Sequence, residues 1–282
     1  MKFDWENKEK AILTFRNTWE EFREALGKKE FEYTDLDKAK EYTFLKVLDD
    51  ILTYEDNRAK LSVLFTNLYF HYSFIRATVI NKDDDIQKLD FNRFLPNKEC
   101  MKNDNRFSPK DKEFLYLACK TKYFKETNYK AIEDVALKEI WSENGMKIGI
   151  CKFNVIKDYS IEGKRVIDLT MTDNKTMADI EKEFNDNIYE VFNGKYASGK
   201  VAKDFALKFY LNILSNEIFK PVNNAEKGYE YAPFHCLAYY FEKLGFSGII
   251  YKSTVCDNKV GKNIVLFDKN YAVPLDFRVI DI

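Results

Sequence analysis

The feature that most limits how this chain can fold is a change of hydrophobic period near residue 70. Before it, apolar residues recur every three or four positions. After it, they alternate or run in short blocks. In the first stretch Ile12, Phe15, Trp19, Phe22 and Leu26 fall on one face of a helix, which the spacing predicts over 7–27. Gly27 fits the position just past its end, where a positive φ costs glycine little. A second helix is expected over 35–54, with Asp35 as its cap and Leu45, Leu48 and Leu52 on its apolar face. A third, short helix is expected through Leu61, Leu64, Phe65 and Leu68.

From Phe70 to Ile80 aromatic and β-branched residues alternate, which predicts a strand. Residues 91–112 contain Pro96 and Pro109 among many polar side chains and read as irregular. Phe114–Ala118 is a compact apolar run, expected as a buried strand. A helix fits Ala131–Trp141, with Asn144-Gly145 to end it, and strands follow over 147–155 and 165–170. Two further helices are marked by Met177, Ile180, Phe184 and Ile188 and by Val201, Phe205, Phe209 and Ile213. The last helix is expected to begin at Pro233, whose missing N–H is not needed in a first turn, and to stop at Gly245. Two strands, Gly248–Ser253 and Gly261–Phe267, come after it. Helices first and mixed elements later predict an α+β fold of mixed or antiparallel sheets with flanking helices. The expected division is a helical N-terminal extension, 1–68, and a mixed domain, 69–282.

The charge balance narrows the function classes. Lys and Arg total 45 against 46 Asp and Glu, with the two signs interspersed. Binding to nucleic acid through its backbone needs a concentrated positive surface, so no nucleic-acid partner is expected. The cysteines Cys100, Cys119, Cys151, Cys236 and Cys256 are widely spaced and form no CxxC pair, which argues against a disulfide framework and a structural zinc site. With His71 and His235 as the two histidines, a three-histidine metal centre is excluded. No GxGxxG or Walker-type loop is present. The acidic start Met1–Glu6 and the lack of a long apolar run lead to the expectation of a soluble, cytoplasmic protein with no membrane partner.

Several polar residues stand out against this background. Arg76 interrupts an apolar strand, and a buried cation needs either an anionic ligand or a salt bridge. Ser253 and Asn263 lie at the ends of apolar strands, where a rigid scaffold can aim them. His235, between Phe234 and Cys236, reads better as a packed or partly exposed residue than as a functional one.

The chain order of these segments carries a family resemblance. Asn105-Arg106-Phe107-Ser108-Pro109 is followed by Leu115-Tyr116-Leu117-Ala118 and Ala136-Leu137-Lys138-Glu139-Ile140. Later come Gly248-Ile249-Ile250-Tyr251-Lys252-Ser253 and Gly261-Lys262-Asn263-Ile264-Val265-Leu266-Phe267. Phe74-Ile75-Arg76-Ala77, Val166–Thr170 and Tyr231-x-Pro233 add to the set. Over roughly residues 70–270 this order resembles the RES domain family, named for its Arg, Glu and Ser. The resemblance implies a fold like that of ADP-ribosyltransferases. It also implies degradation of NAD+ by hydrolysis or phosphorolysis, in the setting of a bacterial toxin or defence effector held in check by an antitoxin.

Carried over residue by residue, the resemblance makes Glu139, Arg106 and Ser253 catalytic and Arg76, Tyr116 and Asn263 substrate-binding. NAD+ is then the substrate rather than a cofactor, inorganic phosphate a co-substrate, and no metal is required. An antitoxin or inhibitor protein is the partner it suggests, and the apolar helices of residues 7–68 offer a surface for such a partner, for a second copy of the chain or for intramolecular packing alone. Loss of nicotinamide leaves positive charge on the ribose, which a carboxylate beside the sugar stabilises. Glu139 is assigned that task. Arg106 and Arg76 match phosphate oxygens through the guanidinium fork, and Tyr116 offers a ring and a hydroxyl. Ser253 either bonds the ribose or supports Glu139, and Asn263 either orients the substrate or ties the hairpin.

The chain departs from the family pattern between Tyr116 and Glu139, where the stretch is longer than usual. It is read as an insertion around 120–130, although Glu126 matches the usual spacing better and Glu133 lies between. Asn105 also stands where glycine is common, and Thr254 follows Ser253. Transfer of ADP-ribose to a macromolecule, and a non-catalytic interaction module of the same fold, are the alternative readings.

Overall fold

The computed structural model describes residues 8–81, 84–101, 103–121, 129–158, 163–193, 198–215, 220, 222, 226–256 and 261–282. The fold is α+β, and the chain forms two compact units. A helical unit combines Met1–Leu61 with Leu169–Tyr240, and a sheet unit combines Ser62–Asp168 with Phe241–Ile282. This division differs from a single cut at residue 68. The apolar faces of the early helices are covered by helices that come after residue 169, and linear reading has no access to that pairing.

The helical unit contains α1 (Lys8–Gly27), α2 (Leu36–Ala39), α3 (Thr43–Leu52), α4 (Glu55–Lys60), α7 (Met177–Phe192), α8 (Ser198–Ile213) and most of α9 (Lys227–Lys243). Its core is aromatic. Trp19 meets Phe44 at 4.9 Å and Phe234 at 5.3 Å between ring centroids, and Phe15 meets Tyr210 at 4.8 Å. The single helix expected over 35–54 is two helices. Asp35 caps the first by accepting from the Lys38 N–H at 3.1 Å. The chain then turns so that Tyr42, in extended conformation, stacks on Phe31 at 5.3 Å.

Gly27 does not take the positive φ expected of it. Lys29 does, at φ 58°, while Gly27 supplies room: a Cβ there would lie 2.4 Å from the Tyr229 ring. Pro233 lies inside α9, six residues after its start at Lys227, rather than in its first turn. Gly245 follows α9 with φ 88°, as a left-handed stop requires.

In the sheet unit, β1 (Ser62–Leu64) and α5 (Phe65–His71) replace the helix expected through 61–68, because residues 62–64 pair with β5 (Arg165–Asp168). The remaining elements are β2 (Tyr72–Ile80), β3 (Leu115–Thr121), α6 (Tyr129–Glu139), β4 (Lys147–Val155), β6 (Gly248–Lys252), β7 (Lys262–Leu266) and β8 (Ala272–Asp281). They form one mixed sheet in the order β1-β5-β6-β7-β3-β2-β4-β8, antiparallel except for β5 against β6. β8 was not foreseen. It pairs along the length of β4 as an edge strand, a place that tolerates Pro274.

One face of the sheet packs Phe74, Leu115, Leu117, Phe153, Ile250 and Ile264. The other packs Ile75, Ala77, Ala118, Ile148 and Ile150 against Ile132, Val135 and Ala136 of α6. This is the period-two alternation of the strands made physical. No helix of the described residues is long and apolar enough to cross a membrane.

The sheet is split at one place. β2 and β3 pair from Tyr72↔Thr121 to Ile75↔Ala118 and then part. Beyond that point β2 continues to Ile80 along β4, while β3 runs back to Leu115 along β7. The parting leaves a fork with two strand edges facing it. The segment that joins these strands, read as irregular, carries three short turns at Ile86–Lys88, Phe91–Phe94 and Lys98–Cys100. Each is capped by the preceding Asx side chain: Asp85 on Gln87, Asp90 on Asn92 and Asn97 on Glu99.

Candidate active site

A cavity of about 570 Å³ opens at the fork. Arg76, Ala77 and Thr78 of β2 line one side and Tyr116, Leu117 and Ala118 of β3 another. Glu139 lines it from the end of α6, Tyr251 and Asn263 from β6 and β7, and Asn92, Arg93 and Asn97 from the capped turns. A volume of this order suits a nucleotide-sized ligand.

Glu139 is the last residue of α6, where the carbonyl ends of the helix disfavour a carboxylate. Two neutral donors offset that. Ser253 Oγ donates to Glu139 Oε1 at 2.6 Å, and Asn263 Nδ2 donates to the same oxygen at 2.5 Å. Ser253 and Asn263 are themselves buried, at 1% and 4% exposure, so the pair holds the carboxylate in one orientation. Their positions follow from register. Asn263 sits opposite Tyr251 on β6 and Ala118 on β3, and Ser253 N–H closes the hairpin on the Gly261 carbonyl at 2.9 Å. Oε2 takes neither of these bonds.

The helix does not run on to Asn144-Gly145. Trp141 N–H donates to the Lys138 carbonyl at 3.1 Å and Ser142 N–H to that of Leu137 at 3.3 Å, the paired bonds of a Schellman ending. Trp141 occupies its left-handed position at φ 52°, where glycine is usual. The stop fixes Glu139 as the terminal residue.

Arg76 extends from β2, opposite Cys151 of β4. The residue keeps part of its surface toward the cavity, while its Nη1 is enclosed and has no hydrogen-bond partner among the described residues. Burial pushes its guanidinium down to about 10, the nearby charge of Arg93 acting in the same direction and Cys151 and Tyr116 against it. It is therefore cationic at neutral pH. The salt bridge that would have explained it structurally is not found among the described ion pairs. Burial likewise pushes the Cys151 thiol up to about 12, far from a nucleophile's range.

Tyr116 lines the cavity, and its hydroxyl is engaged by the turn that precedes β3. It accepts from Phe107 N–H at 3.1 Å and bonds Ser108 Oγ at 3.0 Å. That ties β3 to the tight turn at 105–108, in which Asn105 and Ser108 exchange backbone hydrogen bonds at 2.8 and 3.2 Å. Arg106, in the same turn, is buried and donates from Nη2 to Thr254 Oγ1 at 3.3 Å. It thus reaches the residue after Ser253 without lining the cavity itself, whereas its neighbour Asn105 does line it.

Glu139 accordingly contacts Ser253 and Asn263, Arg76 and Tyr116 line the same cavity as Glu139 and Asn263, Ser253 reaches it through Glu139, and Arg106 braces the adjoining loop. Glu133 is engaged away from this group, its Oε2 accepting from Arg278 at 2.7 Å. Glu126 lies outside the described residues. Sequence reasoning missed Arg93, Asn92 and Asn97 because they sit in turns without a periodic pattern. The Asx capping residues Asp90 and Asn97 were the available signal. Among the described residues no cluster of three or more His, Cys, Asp or Glu is arranged to hold a metal ion.

No protein-family model, curated protein or solved structure matches this chain.

Proposed function

We propose that the cavity binds NAD+ and that the protein cleaves its nicotinamide–ribose bond. The observation that carries this reading is the Glu139 carboxylate, held by Ser253 and Asn263 at a cavity that also contains the buried guanidinium of Arg76. In the reaction the C–N bond to the ring breaks and its electron pair leaves with nicotinamide, which becomes neutral. The sugar carbon is left electron-poor, and water or inorganic phosphate supplies the oxygen that replaces the ring, losing a proton as it does so. Glu139 faces the ribose and stabilises the developing positive charge, as a preorganised group does without having to reorient. Ser253 and Asn263 act as positioning residues through Oε1. Arg76 takes phosphate oxygens, and the face of Tyr116 offers a flat wall for a ring.

The reading is supported by agreement between the chain order of the resemblance and the contacts around Glu139, since residues 139, 253 and 263 share no local reason to meet. An enzyme of this kind depletes a cell's NAD+ and requires restraint, for which an inhibitor protein is the natural candidate. The test is incubation of the purified protein with NAD+, with and without inorganic phosphate, following nicotinamide release and the mass of the ribosyl product. Release in either condition is expected. NAD+ left intact in both by folded protein overturns the proposal, and ADP-ribose found on a macromolecule would redirect it to transfer.

A further inference from the structure

Arg93 enters the cavity from the turn at Phe91–Phe94, outside the motifs that carry the family resemblance. One edge of its guanidinium is anchored. Nη2 donates to the Val79 carbonyl at 2.7 Å, on the edge of β2 left open by the fork, and to Asp84 Oδ2 at 3.3 Å. Its Nε is buried and has no hydrogen-bond partner among the described residues, as is also true of Arg76 Nη1. Both cations line the one cavity, and the charge of Arg93 disfavours that of Arg76.

Two like charges in a partly enclosed cavity, each with an unsatisfied buried N–H, are costly, and neutral packing would not require them. The carboxylates at hand do not remove the cost. Asp84 Oδ2 is shared with the backbone N–H and Nδ2 of Asn81, at 2.9 and 3.3 Å. Glu139 Oε1 is committed to Ser253 and Asn263. The lining therefore carries two guanidiniums against one carboxylate. An anion with several oxygens placed between the two forks turns the repulsion into attraction, and phosphate has the geometry for it.

We infer that Arg93 completes, with Arg76, a two-guanidinium subsite for phosphate oxygens, with Asp84 as the internal counter-ion that keeps Arg93 in place when the site is empty. The subsite rests on the NAD+ reading for the identity of its natural ligand and not for anion binding as such. Inorganic phosphate and the diphosphate of a dinucleotide present the same chemistry to it.

The experiment is calorimetric titration of the full chain with pyrophosphate and, separately, orthophosphate at constant ionic strength. It compares wild type, Arg93→Gln and Asp84→Asn, with far-UV circular dichroism on each. Wild type binds, and Arg93→Gln binds about tenfold more weakly or worse, the loss expected for a charge-assisted hydrogen bond. Asp84→Asn removes the competing charge and binds about two- to fivefold more tightly, the scale of a partly exposed ion pair. Stronger binding of pyrophosphate assigns the seat to a diphosphate, and equal or stronger binding of orthophosphate assigns it to a single phosphate. Failure of wild type to bind either anion overturns the inference, as does a folded Arg93→Gln with wild-type affinity. Should Arg93→Gln not fold, unchanged or weaker binding by Asp84→Asn overturns it instead. Intact NAD+ together with Arg93-dependent pyrophosphate binding would retire the cleavage reaction and leave the subsite standing. Nicotinamide release with no Arg93-dependent anion binding would do the reverse.

Discussion

The packed helices of one unit and the cavity of the other hold their charges differently. In the helical unit one network of partly buried cations is matched by carboxylates. Lys60 meets Asp204 at 2.5 Å, Asp204 meets Lys208 at 2.7 Å, Lys208 meets Glu183 at 2.9 Å, and Glu183 also pairs with Lys175. In the sheet unit, Arg76 and Arg93 each keep a buried N–H without a hydrogen-bond partner among the described residues, and Glu139 is held by neutral donors. Matched charges connect helices and contribute modestly to stability. A buried guanidinium N–H without a partner lowers stability, and perturbed charged groups of this kind cluster where ligands bind. The difference sets a matched scaffold apart from the proposed site.

The largest expected effect tests the site side of this contrast. Glu139→Gln should lower nicotinamide release about a hundredfold or more, the usual scale for removing a preorganised electrostatic group. The amide oxygen can still accept from Ser253 and Asn263, so thermal unfolding should be little changed. A variant with full turnover would return Glu139 to the class of matched structural residues. Ser253→Ala leaves Asn263 as the one remaining donor seen on Oε1 and should cost about tenfold in turnover, near the worth of one hydrogen bond to a charged group. An effect on KM alone would instead place Ser253 on the substrate.

Gly149→Ala sharpens the comparison from a distance. Gly149 lies on β4, opposite Thr78, and a Cβ there would come within 2.9 Å of the Phe94 ring. Phe94 is fully buried and anchors the turn that carries Arg93. The substitution should lower unfolding stability by about 1–3 kcal/mol through overpacking. It should also weaken pyrophosphate binding without altering any residue of the cavity. Loss of stability with unchanged binding would show that Arg93 keeps its place independently of Phe94.

The smallest effect concerns the matched network. Burial alone would raise the Asp204 carboxyl, but hydrogen bonds from Lys208 and Lys60 and their charges hold it below its ordinary 3.8. A carboxyl lowered by folding adds stability above its unfolded value and loses it as pH falls through the folded one. The stability of wild type should therefore decline as pH is lowered below about 4, the ordinary aspartate range. Asp204→Asn should flatten that part of the acid limb in thermal melts, and an identical limb in the variant would remove Asp204 from the network.

Much of the local structure was legible in the sequence. β4 runs from Lys147 to Val155 as the apolar pattern predicts, and α7, α8, β6 and β7 fall close to their expected spans. The failures have specific causes. Leu61, Leu64, Phe65 and Leu68 fall at helical spacing, yet a distant strand captures residues 62–64. Residues 272–281 alternate weakly because β8 is an edge strand with much of its surface exposed. Gly27 read as a helix terminator because a glycine's two uses, positive φ and close approach, look the same in one dimension. At the site, Glu139, Ser253 and Asn263 were readable as separate residues in a familiar order. Arg93 was not, since a turn held by Asx caps has no period to reveal which side chain points inward.

Residue order alone carries a helical period first, mixed elements later, and polar residues at the ends of apolar strands. Those are consequences of local geometry, because periods of 3.6 and 2 are fixed by the backbone. Long-range packing added the parting of β2 and β3 after Ile75↔Ala118, which opens a cavity lined by both Arg76 and Arg93, and brought two donors to one carboxylate oxygen. That outcome depends on strand register and on contacts between residues more than a hundred positions apart, and no local pattern encodes either.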